Sequence, residues 1–301
     1  MAFLVRFLYV YPVFPAKVRD QLMSNVLEDI TRVMLTTYGK DIYPFEESFL
    51  RKTLEKRLSL TSLDNYSAYS DYLSGNSTEA DALYRSLTIS FSEFFRNSLT
   101  FALIEQLVIP VLVDEKVKAG RPEIRVWSAA CASGQEPYSV AILLDELLSA
   151  RGSTVSYRIF ATDFSEPDLS VARKGVYDFG AVRNLRVKHL HDYFAAWDES
   201  YLIAPRIRAH VDFSRYDLLD EHSVSPPASI FGDFDLVLLS NLLFYYKPEM
   251  REIILDKAYR SLSPNGYLVT GEAERDMIAG RKGLRAVAPP AAIFQKTGRG
   301  R

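Results

Sequence analysis

The sequence predicts an α/β protein: a doubly wound parallel-sheet domain with a small β insertion, preceded by a small all-helical N-terminal domain. Three observations predict it. Residues 16–89 carry helical periodicity alone, residues 90–301 alternate short apolar runs with helical stretches, and about residues 175–214 that alternation is interrupted.

In the first block, Leu22, Val26, Ile30, Val33 and Met34 recur at helical spacing between Val18 and Thr37, and Tyr38-Gly39-Lys40-Asp41 stops the helix. Leu50, Leu54 and Leu58 stack on one face of a second helix from Glu46 to Leu58, whose other face carries Arg51, Lys52, Lys56 and Arg57. Asp64 to Leu73 and Glu79 to Leu87 complete the helical domain. Residues 1–15 read as an N-terminal extension. Its apolar run is broken by Pro12 and Pro15, lacks a cleavage site of small residues, and is shorter than the roughly 20 residues of a membrane span.

In the second block, a helix from Phe101 to Val113 leads to a strand at Ile124 to Ser128 and a helix at Glu136 to Leu148. A strand from Ser156 ends on Asp163 and is followed by a helix near Asp168 to Lys174. Phe234 to Leu239 and Tyr267 to Thr270 are further strands, separated by a helix at Pro248 to Leu262 and the turn Ser263-Pro264-Asn265-Gly266; Ala292 to Lys296 closes the sheet. The strands expected within the insertion are Tyr201 to Ile203 and Ile207 to Phe213.

Composition excludes more than it identifies. A formal net charge of -2 provides no global basic field for nucleic acid or an anionic membrane. Cys131 is the only cysteine, which rules out an internal disulfide and fits a reducing, cytoplasmic setting. His189, His191 and His210 lack the carboxylate or cysteine spacing of a metal site, so no metal is expected.

The chemistry concentrates after the first strand. Ser128-Ala129-Ala130-Cys131-Ala132-Ser133-Gly134 is a turn of small residues between strand and helix, where backbone can approach a ligand closely. Gly134 is its only glycine, so the nicotinamide pattern G-x-G-x-x-G is absent. Glu136 in the first helical turn would repel a phosphate and suits a cofactor with positive charge, such as S-adenosylmethionine. Asp163, closing the second strand, is placed to accept hydrogen bonds from ribose hydroxyls, or else to cap the helix after it.

The stretch Val126-Trp-Ser-Ala-Ala-Cys-Ala-Ser-Gly-Gln-Glu-Pro-Tyr-Ser139 resembles the glycine-poor cofactor loop of the chemotaxis receptor methyltransferases, the CheR family. Leu87-Thr-Ile-Ser-Phe-Ser-Glu-Phe-Phe-Arg96, Phe234-Asp-Leu-Val-Leu-Leu-Ser-Asn-Leu-Leu-Phe-Tyr-Tyr246 and Leu262-Ser-Pro-Asn-Gly-Tyr-Leu-Val-Thr-Gly271 match the family in the same order. The resemblance implies a Rossmann-like methyltransferase domain that uses S-adenosylmethionine to methylate glutamate side chains on the cytoplasmic helices of chemoreceptors. It implies Arg96 and Tyr245 as catalytic residues. It places Ser90, Ser92, Arg96, Glu136, Asp163, Asp217, Leu218, Ser240 and Asn241 around the cofactor. The basic face of the second helix becomes a docking surface for acidic receptor helices. A monomer without nucleic-acid partner or membrane insertion is expected.

The chain also departs from the family pattern. Ser90 and Ser92 stand where the family usually has asparagine and threonine, Ser240 where it has arginine, and Asp217 where it has asparagine. Gly271-Glu272-Ala273-Glu274 replaces the frequent Gly-His-Ser-Glu. These changes motivate an alternative reading, a cofactor-binding signalling or scaffold homologue with weak or no turnover. Nucleic-acid methylation is disfavoured by Ser240-Asn-Leu-Leu243, which lacks a Pro-Pro-aromatic feature, and by the charge balance.

Overall fold

The computed structural model describes residues 16–88, 90–229, 232–289 and 291–298, so the expected N-terminal extension lies outside the described residues. The chain divides into two compact units between Leu87 and Thr88.

The first unit is helical. Helices α1 (Ala16–Tyr38), α2 (Glu47–Thr61), α3 (Tyr66–Ser74) and α4 (Ser77–Ser86) enclose Ile30, Met34, Leu54, Tyr69, Leu73 and Leu83. Asn65 and Asn76 cap α3 and α4 by accepting the N–H groups of Ala68 and Glu79. The basic face of α2 is less free than its sequence suggests. Arg57 is drawn to the buried Glu79, with Nε to Oε1 at 2.8 Å and Nη2 to Oε2 at 2.5 Å, and the Tyr69 hydroxyl donates to the same carboxylate at 2.6 Å. Arg51 pairs with Glu47 within the helix, and of the four cations on that face Lys52 and Lys56 are the exposed ones.

The second unit is a doubly wound α/β sheet, as the alternation predicts. Its strands are β1 (Glu123–Ser128), β2 (Ser156–Asp163), β6 (Val211–Arg215), β7 (Phe234–Leu239), β8 (Leu262–Thr270), β9 (Leu284–Ala286) and β10 (Ile293–Lys296). Their spatial order is β6-β2-β1-β7-β8-β10-β9, parallel from β6 to β8 and antiparallel around β10. One face packs on α5 (Ser98–Leu103), α6 (Ile109–Ala119), α7 (Gln135–Arg151) and α8 (Glu166–Lys174), through Phe101, Ile104, Leu112, Val140, Leu144 and Leu169. Between α5 and α6, Ile104–Val108 forms a π-turn, closed by a bond from the Ile109 N–H to the Ile104 carbonyl. Running Ser98 to Ala119 as one rod with this insertion, the chain makes a longer helix than the expected Phe101 to Val113.

The insertion differs from expectation. Strands β3 (Val176–Asp178), β4 (Phe194–Trp197) and β5 (Ser200–Ile203) form a three-stranded antiparallel sheet in the order β3-β5-β4. Short helices α9 (Phe179–Val182) and α10 (Val187–Tyr193) lie between its strands, and α11 (Pro205–Arg208) follows it. The segment expected as a second insertion strand therefore splits: Pro205–Arg208 is helical because the proline presets the first turn, and Val211–Arg215 pairs with β2 as the edge of the main sheet. The turn expected before Tyr267 lies inside β8, whose pairing with β7 slips between Phe234 and Leu236.

On the opposite face, α12 (Pro248–Ser261) buries Ile254, Leu255 and Ala258 against Trp127, Val237 and Leu268. A 3-10 turn at Glu272–Glu274 leads into α13 (Arg275–Ile278). No helix among the described residues is long and apolar enough to cross a membrane.

Candidate active site

The strand order reverses at β1, with β2 on one side and β7 on the other. In open α/β sheets a ligand crevice forms at such a point, beyond the carboxyl ends of the strands. Here the crevice is a narrow cleft, about 640 Å³ only when the open solvent at its mouth is counted. Ala130 and Ala132 line it from the loop after β1, Ser240, Asn241 and Leu242 from the loop after β7, and Phe91, Ser92, Glu93 and Arg96 from the segment before α5.

The loop after β1 is held from both sides. The Ala129 N–H donates to the Leu238 carbonyl and the Cys131 N–H to the Thr162 carbonyl, each at 2.9 Å. Gly134 closes the turn at φ +93°, and a Cβ there would stand 2.8 Å from Ala172 Cβ, so both backbone and packing require glycine. The Asp163 carboxylate clamps the same loop, Oδ2 accepting from the Ala132 N–H at 2.8 Å and Oδ1 from the Ser165 N–H at 2.9 Å. The cap of α8 is Ser165, not Asp163. Burial pushes the Asp163 carboxyl up, against the pull of those N–H groups.

Glu136 enters the cleft from the first turn of α7, where the helix N-terminus favours an anion. Ser128 Oγ donates to its Oε1 at 2.6 Å. Burial pushes its carboxyl above the usual range; the Ser128 and Ser240 hydroxyls oppose that shift, Glu274 adds to it, and Arg96 opposes it.

Arg96 folds back over Phe91, its guanidinium carbon 5.0 Å from the ring centroid and its Nη1 donating to the Phe91 carbonyl at 3.2 Å. The segment is anchored from below. Buried Phe94 meets Tyr177 and Phe194 edge-on, and the Phe95 N–H donates to Ser139 Oγ at 3.0 Å. Phe95 also stacks on His189, which is 2% exposed and hydrogen-bonded through Nε2 to Glu146, so this histidine belongs to the core. Among the described residues no group of three or more His, Cys, Asp or Glu side chains could hold a metal ion.

Four of the eight described non-glycine residues with positive φ stand at or next to the cleft. Phe95, Asn97, Ala132 and Asn241 all have positive φ, at +52°, +61°, +44° and +59°. Such conformations are unfavourable for residues with a Cβ and concentrate at functional sites.

Of the residues named from sequence, Ser92, Arg96, Glu136, Ser240 and Asn241 line the cleft together. Ser90, Asp163, Asp217, Leu218 and Tyr245 lie outside that lining. Ser90 Oγ donates to Asp168 Oδ2 at 2.8 Å, Asp217 is exposed and accepts the Leu219 N–H, and Leu218 is buried in the core beside Trp127. Tyr245 sits in a 3-10 turn (Leu243–Tyr245) at the end of the β7 loop. Burial pushes its phenol up, Arg96 acts against that shift and Glu274 with it.

The model of the family described as "CheR methyltransferase, SAM binding domain" matches residues 90–283. The chain belongs to the CheR family. Among relatives, a chemotaxis protein methyltransferase of Borreliella burgdorferi is 26% identical over 274 residues, covering 89% of this chain and 93% of that one. Chemotaxis protein methyltransferase 1 of Pseudomonas aeruginosa is 36% identical over 192 residues, 62% of this chain and 67% of its own. An uncharacterized 104.1 kDa protein of Rhodobacter capsulatus is 29% identical over 251 residues, and this chain spans 25% of its length.

CheR membership makes S-adenosylmethionine the cofactor and methyl transfer the reaction class. The cleft suits that cofactor on its own evidence. It offers the carboxylate of Glu136 to a cationic ligand and close backbone approach at Ala130 and Ala132. It also contains a polar atom awaiting a partner: Thr100 is 2% exposed, lines the cleft, and its Oγ1 has no hydrogen-bond partner among the described residues. Sequence reasoning passed over Thr100, because a threonine in an apolar helix looks like packing. It also assigned no role to Glu274, although the Gly-Glu-Ala-Glu segment was in view.

Proposed function

We propose that this CheR protein methylates glutamate side-chain carboxylates on the cytoplasmic helices of chemoreceptors, acting in the cytoplasm as a single chain. The observation that carries the reading is the presence of Arg96 and Glu136 in the lining of one cleft, a cation for the acceptor carboxylate and an anion for the cofactor. Ser92, Glu136, Thr100, Ser240 and Asn241 would hold the cofactor, with Asp163 fixing the loop beneath it.

The cofactor supplies an electrophilic methyl group on a positively charged sulfur. A glutamate side chain is already ionised at neutral pH, so transfer of that methyl group to its oxygen would need no general base from the chain. What remains for the protein is to align the acceptor and keep water out. Arg96 offers planar donors to the acceptor carboxylate, held at its post by the Phe91 ring. Tyr245, within the electrostatic reach of Arg96, offers a hydroxyl to the same carboxylate.

Two features bear on the alternative of a scaffold without turnover. The charge of Asp217 lies outside the cleft lining, so it adds little repulsion to an anionic acceptor. Ser240, in place of arginine, supplies a hydroxyl that acts on Glu136. The deciding experiment supplies tritiated S-adenosylmethionine and receptor cytoplasmic fragments. Base-labile methyl ester on the fragments is the expected product; tight binding of S-adenosylhomocysteine with no ester formed would establish the scaffold reading instead.

A further inference from the structure

Glu274 is a fully buried carboxylate, 0% exposed, and the donors gathered on it are main-chain amides. Oε1 accepts the N–H groups of Leu242 and Leu243, each at 2.6 Å; Oε2 accepts those of Asn241 and Gly271, each at 2.8 Å. Three of the four donors belong to the loop that leaves β7 at the cleft, and the fourth belongs to the end of β8. The carboxylate therefore ties the ends of two adjacent parallel strands together.

Beyond that carboxylate the loop is held by the core, where Leu243 is buried, and by its own turn, in which the Tyr245 N–H donates to the Leu242 carbonyl at 3.2 Å. Asn241 is at φ +59°, in the left-handed region that asparagine tolerates better than most residues with a Cβ. Successive N–H groups at 241, 242 and 243 converge on one point, and three aligned donors need an anion or a set of acceptors there. Gly271 leaves the necessary space: a Cβ on it would stand 2.6 Å from Asn241 Nδ2 and 2.8 Å from Glu274 Oε2.

We propose that Glu274 is the positioning residue of the cofactor cleft, an internal anion that folds the Asn241–Leu243 turn into the geometry in which Asn241 meets the cofactor and Tyr245 is brought near Arg96. The proposal rests on the reading of the cleft as the S-adenosylmethionine site. Glu274 acts through the amides it gathers. Its neighbour Glu272 sits in the same 3-10 turn but is exposed, so the two glutamates of the segment have different work.

The test is calorimetry on the full chain with S-adenosylhomocysteine and with S-adenosylmethionine, needing no methyl acceptor. In Glu274→Gln one oxygen becomes an NH2 group that faces two donors and can accept from neither. The dissociation constants for both ligands are expected to rise about tenfold or more, at a temperature where circular dichroism shows the variant folded. In amide exchange, the N–H groups of 241–243 should lose protection while those of β1 and β2 keep it. A folded variant that binds both ligands as tightly as the parent would overturn the proposal. If Glu274→Gln does not fold, Gly271→Ala probes the same contact with the charge retained, and the same rise is expected; unchanged affinity there counts equally against it. Absence of binding by the parent chain would refute the cleft assignment itself, a separate outcome.

Discussion

The main-chain N–H of Asn241 donates to Glu274 Oε2 across 33 residues of sequence, so the residue that lines the cleft is held by one behind it. A CheR protein binds its cofactor on a surface of loops, and loops at strand ends are mobile unless something internal restrains them. Here carboxylates are among the restraints: Asp163 on the loop after β1 and Glu274 on the loop after β7.

Arg96 is the first place to test the reaction. Arg96→Ala is expected to reduce methyl-ester formation on the order of 100-fold. Arg96→Lys should recover little, because an ammonium keeps the charge but not the planar fork of donors. Thermal unfolding should be almost unchanged for both. Near-normal turnover in the alanine variant would remove Arg96 from the mechanism.

Thr100 should contribute through its hydroxyl alone. Thr100→Val preserves shape and removes the unpaired Oγ1, so it is expected to stabilise the unliganded fold slightly. Affinity for S-adenosylhomocysteine should fall about three- to tenfold, if the ligand is what satisfies that oxygen. Equal affinity in titration calorimetry would show that Thr100 only packs.

Cofactor binding should release protons. Burial holds the carboxyls of Glu136 and Asp163 above the usual carboxylate range, so between the unfolded and folded pKa the native chain holds protons that the unfolded chain has lost. Each group therefore lowers stability as pH rises through that window, fully above the folded pKa and not at all below the unfolded one. A cationic ligand favours the ionised form, so affinity for S-adenosylmethionine is expected to increase with pH across the same window. Calorimetry in two buffers of different ionisation enthalpy measures the release, and Glu136→Gln should diminish it.

The helical unit has its own ionic anchor. Burial works to raise the Glu79 carboxyl, but Arg57 and Tyr69 outweigh it and the net shift is downward. The stabilisation is present above the unfolded pKa and disappears as pH falls through the folded one. Glu79→Ala leaves Arg57 and the Tyr69 hydroxyl without their shared acceptor, with an expected loss of about 3 kcal/mol. Urea unfolding followed by circular dichroism checks it; a loss below about 1 kcal/mol would place the pair among weak surface bridges.

Much of this was legible in the sequence because local chemistry and final position agreed. The runs at Ile124 to Ser128 and Phe234 to Leu239 are apolar apart from Arg125 and Asp235, lead into small or polar residues, and form largely buried central strands. Where the two diverged, reading failed for identifiable reasons. Val211–Arg215 alternates like any half-exposed strand, and nothing local tells an insertion from the edge of the main sheet. Strands of three or four residues, such as Val176–Asp178 and Phe194–Trp197, are too short to show a period. For the cleft, the motif residues Ser92, Arg96, Glu136, Ser240 and Asn241 fall in its lining, whereas Glu274 is two residues from a second glutamate, and only the 3-10 turn decides which one is buried.

The π-turn at Ile104–Val108 makes the cleft depend on chain length as well as on residue identity. Each helical residue advances the chain by about 100°, so an in-frame deletion of one codon there would let the rod close as a continuous α-helix and turn its first part by that angle. Leu112 and Val113 could stay seated on the sheet while Thr100 and Phe101 rotated away from the cleft. A gene that lost three nucleotides at that point would still encode every residue of the site, yet it would no longer bring them together.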